Sequence, residues 1–275
     1  ISACLVGSEM CIRDSPWSEW DLLDTLSLTS WARARHRHLE RKVLTKADKV
    51  ITIAPYHVKR FEDLGQRKVE LITNGFDTED FDSIPSVKND VFTIRHIGIV
   101  DELRDPRPVM LALKAICQAQ NKMAQSIRIE FIGNVNNTFK AFVEGDAVLS
   151  GITRFIDQVP HSELLKIYGQ TDLQLLVLAH TAIAPGNLPG KFFEYLASGN
   201  PILAIGPADG DAAQVLKETK AGDIHERNDE EGMKKSLLAF YETWRTGVTI
   251  EKREVKKFTR AALTEQLVAL LERTD

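Results

Sequence analysis

The sequence predicts an α/β fold with a doubly wound parallel sheet. From residue 91 onward, short apolar segments typical of buried strands alternate with segments of helical periodicity. Strands that alternate with helices at this spacing form parallel sheets with helices on both faces. The chain has 275 residues, of which 43% are hydrophobic, so it can bury the core of one large domain or of two smaller ones.

The first 90 residues predict a smaller unit of the same class. The elements expected there are a helix at 17–45, a strand at 47–55, a helix at 56–65 closed by Gly65, and a strand at 69–77 that ends in an Asn-Gly turn. Two strands do not form an independently stable sheet, so we expect 16–77 to be the C-terminal remnant of a larger domain. The acidic, polar segment 78–90 is expected to be a linker.

The regular alternation begins after this linker. Strands are predicted at 91–98, 127–133, 152–159, 172–179, 201–206 and within 221–227, and helices at 107–122, 137–146, 161–170, 192–199, 211–222, 230–245 and 258–274. Ser162 and Asp211 are predicted to be the N-caps of the helices at 161–170 and 211–222. The last helix has a strongly amphipathic pattern.

The first fifteen residues, ISACLVGSEMCIRDS, show no periodicity and join abruptly to the helical segment after them. Their core, LVGSEMCIRDS, can be read as the translation of a transposase adapter used in sequencing libraries. We therefore interpret 1–15 as an assembly artefact and leave these residues out of the fold prediction. A natural N-terminal tail is the alternative.

Cysteine usage favours a reducing compartment. Cys4 and Cys11 lie in the excluded segment, and Cys117 lies on an apolar helical face, where a thiol is more often a core residue than a nucleophile. Nothing indicates a disulfide framework, so we predict a cytoplasmic protein.

Charge and hydropathy exclude several classes of function. The net charge of −4 gives no general affinity for nucleic acid, and no apolar run approaches the roughly 20 residues of a membrane-spanning helix. The segment 33–42, RARHRHLERK, is strongly basic. It fits either a solvated helix face or a face attracted to an anionic membrane surface, which would place the protein peripherally at the inner face of the membrane.

Parallel sheets bind ligands beyond the carboxyl ends of their strands, so the loops there are the first candidates for a binding site. In the loop 98–108, Gly98 ends a strand where a phosphate or sugar could approach the backbone. Arg104 and Arg107 follow in the same loop, and an arginine there could offset the charge of a diphosphate. An ordinary solvated arginine is the alternative.

Among these loops, 179–196 has the most features of a ligand-binding site. Two glycines and two prolines precede a helix start, and free amides at a helix N-terminus bind anions. Lys191 adds a positive charge there. Glu194 follows within the first turn, where it either complements the helix dipole or accepts hydroxyl groups of a ribose.

The sequence does not indicate a binding site for a metal ion or for a dinucleotide. Asp209-Gly210-Asp211 resembles a DxD metal motif, but a turn followed by a helix cap explains it better. His36 and His38 have no acidic or cysteine neighbours at metal-ligand spacing. The absence of GxGxxG weighs against an NAD-dependent enzyme.

Four segments together resemble glycosyltransferase family 4, whose members have two Rossmann-like domains in the B-type arrangement. The segments are ADKVITIAPYHVKRFEDLG with VELITNGFDTEDF, HIGIV with RDPRPVMLALKAI, VPHSELLKIYGQTDLQLLVL, and PGKFFEYLASGNPILAIGPADGDAAQVLKETKAG. The resemblance runs from about residue 16 to the end. It implies a remnant of the acceptor domain at 16–77, a nucleotide-sugar donor-binding domain at 91–255, and a C-terminal helix at 256–275 that packs back toward the first domain.

The family motif carries over residue by residue. Glu194 matches the second glutamate of E-x7-E, which holds the donor ribose, but Gly186 stands where the first would be. Ile99 occupies the family's arginine position, and Arg104 the lysine position. The donor-site residues that the resemblance implies are backbone groups of Gly98, Gly186, Asn187, Leu188 and Gly190, the side chain of Glu194, and Val159 and His161 near the nucleobase.

The resemblance implies transfer of a sugar, with retention, from a nucleoside-diphosphate sugar to a glycan or lipid-linked acceptor, in the setting of cell-envelope polysaccharide synthesis. Arg104 and Lys191 would stabilise the leaving diphosphate, and no metal or other cofactor is expected. The acceptor would bind a preceding domain, so we expect this chain to be a fragment with little turnover of its own. A noncatalytic nucleotide-sugar-binding module and a nucleotide-sugar epimerase remain alternatives.

Overall fold

The computed structural model describes residues 2–5, 8–13, 16–19, 23, 26–82, 84, 87, 89–248 and 254–273. The strands are β1 Ser2–Leu5, β2 Ser8–Arg13, β3 Lys49–Thr52, β4 Glu70–Leu71, β5 Phe92–Ile97, β6 Ile127–Ile132, β7 Thr153–Ile156, β8 Leu173–Val177, β9 Ile202–Ile205 and β10 Gly222–His225. The helices are α1 Ser30–Lys46, α2 Pro55–Gly65, α3 Thr78–Asp82, α4 Arg107–Ala119, α5 Asn121–Ala124, α6 Asn137–Glu144, α7 Ala147–Ile152, α8 His161–Gly169, α9 Gly190–Ser198, α10 Asp211–Thr219, α11 Glu230–Thr246 and α12 Arg260–Leu271.

The larger sheet has six strands in the order β7-β6-β5-β8-β9-β10, and all of its pairings are parallel. The chain builds outward from β5 to one edge and then returns to β8 on the other side of β5. The strand order therefore reverses between β5 and β8, which is where doubly wound sheets form a ligand crevice. The predicted fold class is confirmed.

Both faces of this sheet are covered, as the uninterrupted burial of β5 and β8 requires. Helices α4, α6, α7 and α11 pack on one face, around residues such as Leu113, Phe131 and Leu237. Helices α8, α9 and α10 pack on the other face, around Tyr168, Phe193 and Leu216. The second face includes the start of α9, so the packing of this helix sets the position of the loop 179–196.

The smaller sheet has the order β1-β2-β3-β4 and includes two strands in residues 1–15, which we had left out of the fold prediction. β1 and β2 are antiparallel, and β2 pairs in parallel with β3. The edge of β3 that does not pair with β4 has unpaired backbone donors and acceptors. Any extended segment can pair with such an edge, whatever its origin. The interpretation of 1–15 as an adapter translation stays a prediction.

Several boundaries in the first unit differ from the prediction. Helix α1 begins only at Ser30, because Thr29 caps it by accepting the amide of Ala32. Residues 17–19 form a 3-10 turn, whose first amide donates to the buried carboxylate of Glu40 at 2.6 Å. The strand predicted at 69–77 is reduced to β4, because Phe76 pairs instead with Thr259 near the end of the chain.

The capping predictions were wrong in three places. Gly65 is the last residue of α2, and the left-handed position after it belongs to Gln66, with φ of 52°. Ser162 lies inside α8, which Pro160 precedes. Asp211 is the first residue of α10 and caps nothing there, because its carboxylate accepts the amide of Tyr56, 155 residues away, at 2.9 Å.

Two helices were missed. The expected linker 78–90 contains α3, whose Phe81 packs with its ring centroid 5.9 Å from that of Tyr168. Residues 147–152 form α7, which Asp146 caps. The helix predicted at 107–122 ends at Ala119, because Gln120 leaves the helical region and α5 begins after it.

The end of the chain packs against the smaller sheet. Phe76 donates its amide to Phe258 at 3.1 Å and accepts that of Arg260 at 2.8 Å. Leu270 of α12 shares a small buried cluster with Ile51 of β3. The expected strong amphipathicity of this helix is not found, since Leu271 beside the buried Leu270 is 41% exposed.

Candidate functional site

The crevice beyond β5 and β8 is formed by closely approaching backbones. Gly98 has φ of 130° and Gly133 has φ of 124°, a region that residues with a Cβ rarely adopt. A Cβ on Gly133 would lie 2.6 Å from the carbonyl oxygen of Gly98. A Cβ on Gly98 would lie 2.8 Å from Nζ of Lys191, the mobile end of a side chain, so glycine is favoured at Gly98 by its φ and at Gly133 by both its φ and the backbone contact. The strand ends and the start of α9 are therefore in direct contact.

Lys191 reaches from the first turn of α9 to the end of β5. Its Nζ donates to the carbonyl oxygen of Ile97 at 2.9 Å. Burial and, to a smaller extent, the positive charge of Arg104 lower the pKa of this amine to about 8, and the negative charge of Glu194 opposes both effects. The amine is thus largely protonated at neutral pH and loses its charge under mildly alkaline conditions.

Glu194 lies less than one helical turn after Lys191 and faces α8. The hydroxyl of Tyr168 donates to Oε2 of Glu194 at 2.6 Å, and Nε2 of His161 lies 3.4 Å from Oε1. Tyr168 has no exposed surface, whereas the side chain of His161 is 56% exposed. Burial raises the pKa of Tyr168, so the tyrosine keeps its proton and acts as the donor.

The backbone before α9 offers fewer free amides than expected. The amides of Gly186 and Asn187 donate within their own turn, to Ile183 and Ala184. The amides of Gly190 and Lys191 have no acceptor in the part of the chain that the structure describes. The side chain of Leu188 is buried in the core, so this residue can offer only its backbone. The amides of this segment that are free to donate to an anion therefore include those at the first two positions of α9.

Gly186 lies against α2 of the smaller unit. A Cβ at this position would approach the ring of His57 to 2.7 Å and that of Tyr56 to 2.8 Å. The amide of Tyr56 donates to Asp211 at the start of α10. Burial and the charge of Arg60 lower the pKa of His57 to about 4, so its ring is neutral at pH 7. The space that the first glutamate of E-x7-E would need is thus filled by α2.

The end of β5 carries one residue that sequence reasoning missed. His96 has no exposed surface, and its Nδ1 lies 3.0 Å from the carbonyl oxygen of Leu175. Burial, more than the charges of Lys191 and Arg104, lowers its pKa to about 3. His96 is therefore a neutral residue that joins β5 to β8 at the crevice. Its position inside an apolar strand gave no signal in the sequence.

The remaining predicted residues of this region are placed at the surface of the crevice. The guanidinium of Arg104 is paired with the carboxylate of Asp101 at 2.8 Å, and its charge acts on Lys191. Ile99 is 51% exposed. Val159 is half-buried beside the start of α8. The structure thus brings Gly98, Lys191 and Glu194 together, with Arg104 at their edge.

No metal-binding cluster of three or more His, Cys, Asp or Glu side chains occurs among the described residues. Asp209 is exposed, whereas Asp211 is largely buried and holds Tyr56, so the two carboxylates do not act together. In the described part of the chain, no helix combines the length and the hydropathy needed to cross a membrane.

A second polar cluster joins β10 to α11. Nδ1 of His225 lies 2.8 Å from Asp229, and Nε2 lies 2.8 Å from the hydroxyl of Ser236. This hydroxyl belongs to a buried serine and donates to Asp223 at 2.7 Å. Because the serine proton is directed at Asp223, His225 is not placed to accept it. The cluster resembles a nucleophilic triad in composition, but its hydrogen bonds instead link β10 to α11.

Comparison with known proteins gives structural matches only. No protein-family model and no curated protein matches the chain. Sucrose-phosphate synthase from Thermosynechococcus elongatus superposes with a TM-score of 0.68 at 15% identity, over 96% of this chain and 67% of that one. HepE of Anabaena in complex with UDP gives a TM-score of 0.68 at 15% identity, over 96% and 72% of the two chains.

A point mutant of TarM from S. aureus, in complex with fondaparinux, alpha-GlcNAc-glycerol and UDP, gives a TM-score of 0.67 at 11% identity. The match covers 96% of this chain and 50% of that one, so the chain spans about half the length of TarM. At these identities the similarity establishes the fold. The chain has the fold of the B-type glycosyltransferases to which it is structurally similar.

Proposed function

We propose that this chain belongs to a family 4 glycosyltransferase that transfers a sugar, with retention, from a nucleoside-diphosphate sugar to a glycan or lipid-linked acceptor. The observation that carries the proposal is the joint placement of Lys191 and Glu194. Both lie in the first turns of α9, at the crevice where the strand order of the sheet reverses, beside the bare backbone of Gly98. The crevice therefore holds a cation suited to the diphosphate and a carboxylate suited to the ribose of one nucleotide.

Each group has a definite role in this proposal. The ammonium of Lys191 and the free amides of Gly190 and Lys191 bind the diphosphate, and Glu194 accepts ribose hydroxyls. When the bond between the anomeric carbon and the diphosphate breaks, negative charge develops on the leaving group, and Lys191 is already in place to stabilise it. Arg104 adds charge once it leaves Asp101. No metal or other cofactor has a part in this scheme.

Two features favour a second candidate, a noncatalytic nucleotide-sugar-binding module. Gly186 cannot be replaced by a glutamate without displacing His57, and Ile99 brings an apolar, exposed side chain to the position of the family's arginine. Both candidates predict nucleotide binding, but only the enzyme predicts release of nucleoside diphosphate from the sugar donor. We favour the enzyme because Lys191 and Arg104 together retain the charge that the leaving group needs.

The Glu194→Ala variant is expected to bind its nucleoside diphosphate about 1–3 kcal/mol more weakly than the wild type, because charge-assisted hydrogen bonds to the ribose are lost. The measurement is isothermal titration calorimetry with UDP, GDP, ADP, CDP and dTDP, and then with the corresponding sugar donors. Glu144→Ala on α6 is the matched control, because this glutamate is exposed and remote from the crevice.

Unchanged affinity in the Glu194→Ala variant would remove this residue from the site. If the wild type binds none of the five nucleotides, the proposed function itself is wrong. Binding without any release of nucleoside diphosphate from a bound sugar donor, in the presence of lipid or glycan acceptors, would favour the binding module.

We also propose that the outward face of α1 contacts an anionic membrane surface, which would bring a lipid-linked acceptor close to the enzyme. Trp31 is 76% exposed on this face. Arg35, His38 and Lys42 follow it at spacings of four, three and four residues, so all four side chains lie along one line of the helix. The only acid of α1, Glu40, is buried on the opposite side. An exposed tryptophan with cations and no acids suits the interface of an anionic bilayer.

The Arg35→Gln/Lys42→Gln variant is expected to bind vesicles of phosphatidylcholine with about 30% phosphatidylglycerol about 2 kcal/mol more weakly than the wild type, at about 1 kcal/mol per cation. Co-sedimentation at low and high salt gives the affinity, and salt should weaken the binding of the wild type. Lys217→Gln/Lys235→Gln, which removes two cations elsewhere, is the control. Equal binding to vesicles of pure phosphatidylcholine would contradict the proposal.

A further inference from the structure

The side chain of Tyr168 is held from several elements and is directed at Glu194. Its ring centroid lies 5.9 Å from that of Phe81 in α3 and 5.9 Å from that of Tyr195 in α9. The main-chain carbonyl oxygen of Tyr168 accepts a hydrogen bond at 2.6 Å from the side-chain amide of Asn200, two residues after the end of α9. The ring has no exposed surface, so its position is fixed by packing and not by solvent. The hydroxyl is the only polar atom of this side chain, and Glu194 is its acceptor.

Glu194, in contrast, is one-quarter exposed and borders the crevice. A free glutamate side chain samples several rotamers, and binding a ligand through it costs the entropy of fixing one of them. The contact with His161 is long, at 3.4 Å, and His161 is itself exposed, so it cannot fix the carboxylate. The bond of 2.6 Å from Tyr168 is the contact that can.

We propose that Tyr168 is a positioning residue, which holds the carboxylate of Glu194 through Oε2 so that Oε1 is set in advance for ribose hydroxyls. The inference rests on the proposed function, since it concerns the nucleotide of the same site. Tyr168 does not touch the ligand. It acts through Glu194, so its contribution reaches only ligands that carry ribose hydroxyls.

The test compares Tyr168→Phe with the wild type, using UDP and 2′,3′-dideoxy-UDP as probes in calorimetric titrations. Phenylalanine fills the same space, so the variant is expected to fold. We expect it to bind UDP about tenfold more weakly, because binding must then fix a Glu194 side chain that is no longer held, and to bind the dideoxy nucleotide within about twofold of the wild type. A general structural defect would weaken both probes alike, and that result would overturn the inference.

The energetic coupling between Tyr168 and Glu194 provides an independent test. In a Glu194→Ala background, adding Tyr168→Phe is expected to change the UDP affinity by less than about twofold, because the group through which Tyr168 acts is gone. A further tenfold loss there would show that Tyr168 acts by another route. Glu194→Asp keeps the charge, but its shorter side chain moves the carboxylate away from the hydroxyl of Tyr168. It is expected to lose selectivity for UDP over the dideoxy nucleotide, and full retention of selectivity would overturn the inference.

Tyr241→Phe is the matched control, because Tyr241 is a buried tyrosine on the opposite face of the sheet. It is expected to leave the affinity for UDP unchanged. The two possible failures are distinguishable. A wild type that binds no nucleotide contradicts the proposed function, whereas a wild type that prefers UDP over its dideoxy form and a Tyr168→Phe variant with the same preference contradict only the role of Tyr168.

Discussion

The Lys191→Met variant is expected to bind nucleoside diphosphates about 2–3 kcal/mol more weakly than the wild type, and to release them from sugar donors correspondingly more slowly. Methionine is similar in length to lysine and fills most of the space that the half-buried Lys191 side chain occupies, so packing is kept and the charge is removed. The carbonyl oxygen of Ile97 loses its donor, but it lies at the crevice, where water can replace the lost hydrogen bond. Titration calorimetry measures the affinity, with nucleoside monophosphates as a comparison that carries less charge.

The same residue predicts a pH dependence. Because the pKa of Lys191 is lowered to about 8, the wild type should lose diphosphate affinity as the pH rises from about 7 to about 9, when the amine loses its proton. A bound diphosphate raises the pKa of the amine, so the affinity starts to fall near the pKa of the free protein and levels off only above the pKa of the complex. Lys191→Arg keeps its charge throughout this range and should bind with little pH dependence. A wild-type affinity that does not change over this range would show that Lys191 does not bind the diphosphate.

Stability gives a check on Lys191 that needs no ligand. The folded state lowers the pKa of the amine below its unfolded value of 10.5, so the unfolded chain binds more protons between about pH 8 and 10.5. The lysine's contribution to the free energy of unfolding should therefore become more favourable as the pH rises through this window. Comparison of urea unfolding in the wild type and in Lys191→Met isolates that contribution.

The order of strands and helices from residue 91 onward could be predicted because each element has its own local signal. The segments FTIRHI and LQLLV are apolar and short, and the helices between them have clear periodicity. Buried parallel strands read as continuous apolar runs whatever lies beside them. This is why the sheet and the position of the crevice at its edge could be inferred from the sequence.

The errors lie where a residue's role depends on a distant partner. Asp211 has the sequence context of a helix cap, yet its carboxylate is used by Tyr56, which is far away in the chain. Residues 69–77 have the composition of a strand, but Phe76 pairs with Thr259 and leaves only two residues in β4. A local pattern contains no information about such partners.

The candidate site shows the same division. Lys191 and Glu194 could be found from the sequence because a helix start with a cation and an acid is a local pattern. Tyr168 and His96 could not, because both lie in apolar surroundings and acquire their roles only through contacts between elements. The prediction that Gly186 and Asn187 offer free amides failed for a related reason, since the turn uses both of them internally.

The Gly186→Glu variant is expected to lower the free energy of unfolding by at least about 3 kcal/mol, although it introduces the residue that the E-x7-E motif would have at this position. The space beside Gly186 is occupied by the rings of His57 and Tyr56. Both belong to α2, which is also tied to α10 through Asp211. A glutamate must either displace α2 or bury its charge among these rings, and each outcome is costly. Urea unfolding, monitored by circular dichroism, measures the change.

A series of smaller changes shows whether the cost arises from this contact. Gly186→Ala should cost about 1–3 kcal/mol through overpacking against His57. Gly151→Ala, where a Cβ meets nothing within 4 Å, is the control and should be neutral or slightly stabilising. His57→Ala removes the obstructing ring, so the double variant should lose less stability than the sum of the two single changes. If the two effects simply add, Gly186 and His57 do not compete for the same space, and the missing glutamate needs another explanation than the position of α2.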